Sequence, residues 1–462
     1  MARPTLRSFL FWPHLASGLL AGLLVAVMSF TGLALAFAPQ LLAASDREAR
    51  EVALPAPGTP RLGVDALVER VKAERPGLKV TGVTVYPQPS SAVLVASGRT
   101  GGVYVNPYTG ELRDLGAQGL RKGLHAMEDW HRWLGAEGDG RPVGKAFTGA
   151  GNALFLFLAL SGLYLWWPRR WTRAALRSTS WFRGGLRGKA RDFNWHNVIG
   201  FWLLPVLIVL TASGLVISYK WASSLVYTLT GSPAPAGPGG PPGAGAAPQR
   251  SPAAPAAAPL ALEAMFARAT QQVPAWESVS LRLAAPGGAP QQPAGGARAA
   301  PGARAGAQPS RGSAAAAEAQ PGRDATAPAG ARTPRGEAQA ARGPQPLTFT
   351  VREPDAWPRF ATLSLTLDPV SGEVLKREGY ADGTLGRRVR TWLRFLHTGE
   401  ALGLPGQAVA ALGCLGGLFL VWTGFALAWR RFFPRRQQQQ PQAPATPLPE
   451  AAAQPASETS AA

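Results

Sequence analysis

The chain has 462 residues, a formal net charge of +20, one cysteine, 43 prolines and 54 glycines. So large a positive charge suggests nucleic-acid binding, but the arginines lie beside apolar spans or in low-complexity sequence, and no recognition module is found. The single cysteine excludes an internal disulfide, a C-x-x-C-H haem attachment motif and a cysteine-ligated iron–sulfur cluster.

The first long apolar run covers residues 9–37 and has no charge between Ser8 and Gln40. As a helix it can cross about 30 Å of hydrocarbon, so residues 1–45 are predicted to hold transmembrane helix 1. The short basic start and the Ala-x-Ala-like sequence at 34–36 also suit a secretory signal peptide. The length of the run, and its match to a later internal run, favour a retained helix.

Residues 46–135 have the pattern of a small exported α+β module. The pattern predicts an amphipathic helix and then four strands, at 64–75, 80–86, 92–96, 103–105 and after the turn at 106–112. A surface helix at 118–135 ends the module and carries His125 and His131.

Three further transmembrane helices are predicted, at 146–168, 196–220 and 405–430. The loop 169–195 between the first two of these is strongly basic, and the last span ends in Trp-Arg-Arg. Because basic residues favour the cytoplasmic side, this loop and both termini are predicted to be cytoplasmic. The expected location is a bacterial inner membrane, with the two long segments between spans in the periplasm.

The second exported segment begins with a Pro/Ala/Gly linker at 221–259. Residues 260–400 are predicted to form a second α+β module, interrupted by an Ala/Gly/Pro/Arg-rich insertion at 284–346 that is predicted to be disordered. Residues 431–462 are predicted to be a disordered cytoplasmic tail.

The two halves of the chain carry the same features in the same order. The turn at 106–112 corresponds to the turn at 368–374, and Gly162 corresponds to Gly424 in the spans that follow. Halves that cross the membrane in the same sense are parallel repeats, related by an axis along the membrane normal. The predicted fold is therefore an α-helical membrane protein, with four transmembrane helices as two parallel repeats and two small exported α+β modules.

Four of the five histidines occupy equivalent places in these repeats. Equivalent residues lie at one depth on opposite sides of the axis, so His14 is predicted to pair with His196, and His131 with His397. In the first and third spans, glycines follow the histidine at offsets that return to one face of an α-helix; these are Gly18 and Gly32, and Gly200 and Gly214. His125 has no equivalent and is the second choice for the outer site.

Two neutral imidazoles that face each other can bind one iron axially, while glycines leave room for a flat macrocycle. Zinc would need a third or fourth protein ligand, and no Cys, Asp or Glu is expected beside His14 or His196 in a span. Haem b therefore fits better, although a lone histidine at a span end is often only an interfacial polar residue. Nearby arginines could bind propionates or simply follow the positive-inside rule; they are Arg7, Arg169, Arg170, Arg191, Arg132, Arg141 and Arg394.

Three segments, at 124–135, 161–169 and 396–403, resemble the PepSY-associated transmembrane-helix family, and the turns at 106–112 and 368–374 resemble PepSY modules. The likeness covers most of residues 9–430. It implies two haems b, one near each membrane face, held by His14 with His196 and by His131 with His397. Some members of the family are inner-membrane ferric-siderophore reductases, and the insertion at 284–346 departs from the family pattern.

The leading hypothesis is an oxidoreductase that moves electrons from the cytoplasmic to the periplasmic side and reduces ferric iron or a ferric siderophore. Fe(II) is softer than Fe(III) and is held less tightly by hard anionic ligands, so reduction would loosen the chelate. The sequence identifies no electron donor and no catalytic residue. The alternatives are a membrane-anchored protein whose modules bind a peptide or a partner, and a metal or solute permease.

Overall fold

The computed structural model describes residues 6–98, 101–168, 171–235, 258–283 and 345–433. Arg169 and Arg170 lie outside these ranges, as does most of the predicted linker, insertion and tail. The helices are α1 (Leu6–Leu35), α2 (Ala38–Ser45), α3 (Arg47–Arg50), α4 (Val64–Glu74), α5 (Gln118–Trp133), α6 (Arg141–Trp166), α7 (Arg173–Ser180), α8 (Gly188–Ser218), α9 (Lys220–Leu229), α10 (Leu262–Gln271), α11 (Leu385–Thr398) and α12 (Gly403–Phe432).

Four helical segments in the described residues are long and apolar enough to cross a membrane: Leu6–Ser45, Gly138–Trp166, Gly188–Ser218 and Glu400–Phe432. This is the architecture of a multi-pass α-helical membrane protein, and the four predicted spans are confirmed as long apolar helices. Both α6 and α8 begin earlier than their predicted spans. An apolar run marks only the part of a helix that suits hydrocarbon, and a helix can continue beyond it through polar residues.

The four long helices form a bundle in which α1 and α8 lie diagonally opposite each other. Each of these two helices packs against both α6 and α12. Glycines bring the helices close together: a Cβ on Gly416 of α12 would lie 1.9 Å from Cδ1 of Leu203 in α8. Small residues allow such close packing between membrane helices.

The strands form one continuous sheet in the order β4-β3-β2-β1-β5-β6-β7-β8. They are β1 (Val80–Val85), β2 (Val93–Ser97), β3 (Gly101–Val105), β4 (Leu112–Asp114), β5 (Ser278–Arg282), β6 (Leu347–Arg352), β7 (Leu363–Leu367) and β8 (Val374–Glu378). The prediction treated the two modules separately, whereas β1 and β5 pair antiparallel, with Val83 opposite Leu281. Pairing removes two strand edges that would otherwise offer free backbone groups.

Helices α4 and α10 cover this sheet and cap each other. The carboxylate of Asp65 accepts hydrogen bonds from the backbone N–H groups of Leu262 (2.8 Å) and Glu263 (2.9 Å). In return, the carboxylate of Glu263 accepts the N–H of Val64 at 2.7 Å. The first N–H groups of a helix have no partner within it. A carboxylate of each helix therefore accepts free N–H groups at the start of the other, across the junction between the two halves.

Helices α5 and α11 lie between the sheet and the bundle. Helix α5 packs on α1 and α6, and α11 packs on α8 and α9. The carboxylate of Asp46, which is buried, accepts the N–H of Gly116 at 2.9 Å and also pairs with the guanidinium of Arg121. This ion pair fixes the start of α5 to the end of α2.

Candidate functional site

The histidines on α5 and α11 lie beside each other at the end of the bundle nearest the sheet. The ring centroids of His131 and His397 are 6.2 Å apart, and the ring planes make an angle of 56°. Metal–imidazole bonds measure about 2 Å and a ring nitrogen lies about 1 Å from the ring centre, so two imidazoles on opposite sides of one metal have centres about 6 Å apart. The sheet-side pair, His131 and His397, has this spacing.

The far-side pair, His14 and His196, lies near the opposite end of the bundle. His14 is in the third turn of α1, and His196 follows the second turn of α8. The two rings belong to the diagonally opposite helices α1 and α8, each of which packs against both α6 and α12. Each predicted pair takes one residue from each half of the chain, and the pairing of His14 with His196 stays a prediction.

Each of the four rings meets a serine or threonine hydroxyl on a neighbouring helix. The distances from Nδ1 to the hydroxyl oxygen are 2.8 Å for His14 to Ser161, 2.9 Å for His196 to Thr423, 3.0 Å for His131 to Thr31 and 3.1 Å for His397 to Ser213. The partner of each far-side ring lies on α6 or α12, and the partner of each sheet-side ring lies on α1 or α8.

A glycine follows each of these hydroxyl residues and faces the same ring. A Cβ built on the glycine would lie 3.4 Å from Cε1 of His14 for Gly162, 3.8 Å from that of His196 for Gly424, 3.4 Å from that of His131 for Gly32 and 3.3 Å from that of His397 for Gly214. We call each Ser/Thr-Gly dipeptide a hydroxyl–glycine pair. Each of the four imidazoles thus contacts one hydroxyl–glycine pair.

The hydroxyl–glycine pairs also assign the protonated ring nitrogen. Each hydroxyl has one proton, which it donates to a carbonyl one turn earlier in its own helix: Ser161 to Phe157 (2.6 Å), Thr423 to Phe419 (2.7 Å), Thr31 to Val27 (2.7 Å) and Ser213 to Val209 (2.5 Å). The hydroxyl oxygen must then accept the Nδ1–H of the histidine. Nε2 therefore keeps its lone pair, as a metal ligand requires.

The sheet-side rings have a second acceptor at Nδ1. The carbonyl of Met28 lies 3.1 Å from Nδ1 of His131, and the carbonyl of Leu210 lies 3.0 Å from Nδ1 of His397. Burial and the neighbouring ring of His397 lower the pKa of His131 to about 4. This imidazole is therefore neutral at pH 7, which is the form that binds a metal.

The donor set fits a metal that needs only two protein ligands. Within the described ranges, no group of three or more His, Cys, Asp or Glu side chains could hold a metal ion. Paired imidazoles with free Nε2 atoms would suffice to hold a haem iron, because the macrocycle would supply the other ligands. The four histidines therefore carry the kind of donor that the predicted cofactor requires, and its binding stays a prediction.

The predicted glycines have two different surroundings. Gly32 and Gly214 lie against the sheet-side rings, whereas Gly18 and Gly200 meet leucine side chains of α6 and α12, with a Cβ 3.8 Å from Leu158 and 3.6 Å from Leu420. His125 does not join His397. Its Nδ1 lies 3.8 Å from a carboxylate oxygen of Asp129 on the same helix.

The expectation that no acidic residue lies beside His196 in a span is wrong. Asp192 is fully buried in α8, one turn before His196. It was missed because α8 starts eight residues before its predicted beginning. Its carboxylate is held by Arg191 at 2.9 Å and by Arg430 of α12, so it serves as an ion-pair partner between helices.

Several predicted propionate-binding arginines have protein partners. Arg7 donates to the carbonyls of Leu165 (2.5 Å) and Trp167 (2.7 Å) at the end of α6. Arg132 pairs with Glu128 at 2.8 Å. Further arginines stack on aromatic rings: Arg132 and Arg141 on Trp133, Arg191 on Trp195 and Trp422, and Arg394 on Phe395. A role toward propionates stays a prediction for each of them.

Six residues that contact the rings were not predicted from the sequence: Thr31, Ser161, Gly162, Ser213, Thr423 and Gly424. Their signal was nevertheless present. A hydroxyl residue directly before glycine recurs at repeat-equivalent positions, at 31–32 with 213–214 and at 161–162 with 423–424.

These features define a class: a multi-pass helical membrane protein with two histidines toward each end of its bundle. The chain belongs to the family of the PepSY-associated TM region, whose family model matches residues 11–431. A search of curated proteins found no match.

Proposed function

We propose that this protein is a di-haem electron-transfer protein of a bacterial inner membrane. Its two parallel repeats would cross the membrane in the same sense, with the basic loop cytoplasmic and the PepSY-like strands and helices periplasmic. The observation that carries the proposal is the presence of two histidine pairs, each ring bonded through Nδ1 and each Nε2 left with a lone pair. When bound, haem b supplies a one-electron Fe(III)/Fe(II) couple.

The separation of the two pairs suits transfer across the membrane. Thr31, which holds His131, follows His14 along α1 by about five turns, or about 25 Å at 1.5 Å per residue. A hydrocarbon layer is about 30 Å thick, so the pairs would lie near opposite faces. Electrons would enter at the far-side pair and leave at the sheet-side pair, and the acceptor we propose is ferric iron or a ferric siderophore.

The proposal is tested on purified protein by a reduced-minus-oxidised optical spectrum and by haem quantification. We expect two b-type haems per chain, with paired axial histidines. A well-folded protein that cannot be loaded with b-type haem would refute electron transfer and would favour the alternative of a membrane-anchored binding protein.

Single histidine variants test the pairing. His14→Ala and His196→Ala should remove the same centre, and His131→Ala and His397→Ala should remove the other. His125→Ala is the matched control and should retain both centres, because that ring lies outside the sheet-side pair. If His131→Ala and His397→Ala remove different centres, the pairing is wrong.

Reduction of the acceptor is tested separately. Wild-type protein, reduced with dithionite and freed of excess reductant, should be reoxidised by a ferric chelate. Loss of the sheet-side pair should slow this reoxidation, because it removes the centre closest to the acceptor. Equal rates with and without that pair would refute the proposed exit.

A further inference from the structure

We propose that the hydroxyl–glycine pairs are positioning residues for the haem ligands, and that His14 depends on its hydroxyl more than the other three rings do. This inference rests on the proposed function. The hydroxyl at Ser161 is the critical one, because it is the single acceptor for its ring among the described residues.

The four Nδ1 atoms differ in their acceptors. His131 and His397 each bond to a hydroxyl and also to a backbone carbonyl, at 3.1 Å and 3.0 Å. The carbonyl of Leu420 lies near His196, although the only hydrogen bond with good geometry at that ring is to Thr423. His14 bonds to Ser161 alone, at 2.8 Å.

A bond to Nδ1 matters for a ligand that binds through Nε2. It fixes the tautomer and the rotation of the ring, and it raises the basicity of the nitrogen that binds the metal. Where a carbonyl also accepts the Nδ1 proton, loss of the hydroxyl leaves the tautomer unchanged. Where the hydroxyl is the only acceptor, its loss frees the ring to rotate and leaves the Nδ1 proton unpaired.

Ser161 and Ser213 form a closely matched pair of test positions. Each is a buried serine on a membrane helix that donates to a carbonyl one turn earlier, precedes a glycine and contacts an imidazole. Changing either to alanine removes the same single atom. The relevant difference is the Leu210 carbonyl, which remains at Nδ1 of His397 after Ser213→Ala.

The expected result is a selective change at the far-side centre. Ser161→Ala should weaken haem binding there by about 10-fold or more, as is typical when a partner of a metal ligand is lost. Ser213→Ala should retain the sheet-side haem with affinity within about threefold of wild type. Affinity is measured by transfer of haem to a soluble scavenger, and centres are assigned from the histidine variants.

A redox titration supplies a readout that a general packing defect would not move. Ser161→Ala should raise or broaden the midpoint potential of one centre only, because a less basic imidazole stabilises Fe(III) less. Ser161→Thr should restore the wild-type value, because the equivalent position 423 is a threonine that holds His196 in the same way.

Three outcomes would overturn the inference: equal effects of the two alanine variants, a larger effect from Ser213→Ala, or failure of Ser161→Thr to restore the potential. If Ser161→Ala does not fold, Ser161→Cys against Ser213→Cys repeats the comparison, with a thiol that is a weaker acceptor than a hydroxyl at both positions. A wild-type protein that binds no haem would refute the proposed function instead, so the two failures are distinguishable.

Discussion

Gly144 sets the position of His131, and a single methyl group there should displace it. Gly144 lies in the first turns of α6, against the end of α5. A Cβ on Gly144 would lie 2.0 Å from the carbonyl oxygen of Trp133, whereas real Cβ contacts essentially never fall below 3.0 Å. Since the obstacle is backbone, Gly144→Ala must move the end of α5 by at least about 1 Å.

That displacement is large compared with the tolerance of the site. His131 precedes Trp133 by two residues and bonds to Thr31 at 3.0 Å. A hydrogen bond stretched beyond about 3.5 Å is effectively lost. Overpacking of this kind destabilises the folded protein by about 1–3 kcal/mol. Replacing glycine by alanine in a helix stabilises it by only about 0.5–1 kcal/mol.

The assay combines thermal unfolding with haem quantification. Gly144→Ala should lower the unfolding temperature and should lose the sheet-side haem while the far-side haem stays bound. The matched control is Gly123→Ala in α5, where a Cβ meets no atom within 4 Å; this variant should be stabilised slightly and keep both haems. If Gly144→Ala retains both haems at wild-type stability, the contact does not set the ligand position.

Two further predictions concern contacts between helices that are far apart in the sequence. Asp65→Ala removes the cap of α10 and should lower the free energy of unfolding by about 1 kcal/mol. Its control is Glu69→Ala, at an exposed position on α4, the helix that also carries Asp65; this variant should change the free energy of unfolding by less than about 0.5 kcal/mol. Chemical denaturation measures both. Asp192→Asn leaves Arg430 without its carboxylate partner and should cost about 1–3 kcal/mol. Asp139→Asn at an exposed position is its control, and equal stability of these two variants would contradict a role for the buried ion pair.

The sequence was a good guide wherever a signal is local or repeated. Uninterrupted apolar runs located the four spans, and repeat equivalence brought His131 rather than His125 to His397. The start of α8 was misplaced because residues 188–195 are mostly polar, and the contact of Asp192 with Arg430 joins residues 238 positions apart. Nothing local in either strand indicated that β1 would pair with β5, since that contact joins residues almost 200 positions apart.

The hydroxyl–glycine pairs were missed for a different reason. Serine and threonine in membrane helices commonly bond to a carbonyl of their own helix. A hydroxyl residue in a span therefore does not by itself predict a contact with a histidine. Here the hydroxyl does both: Thr31 donates to Val27 and accepts from His131. Only the match between equivalent positions, such as Thr31 and Ser213, distinguishes this use from the ordinary one.

The two histidine pairs are joined to the rest of the molecule in different ways, and this bears on how each responds to change. The sheet-side rings lie on α5 and α11, outside the membrane spans, and the halves that carry them also meet through the β1–β5 pairing and the reciprocal caps. The far-side rings lie on α1 and α8 themselves, close to the ion pair between Asp192 and Arg430. A substitution at the junction of the two halves of the sheet, such as Asp65→Ala, should therefore weaken haem binding at the sheet-side pair more than at the far-side pair. A substitution within the bundle, such as Asp192→Asn, should weaken haem binding at the far-side pair more than at the sheet-side pair.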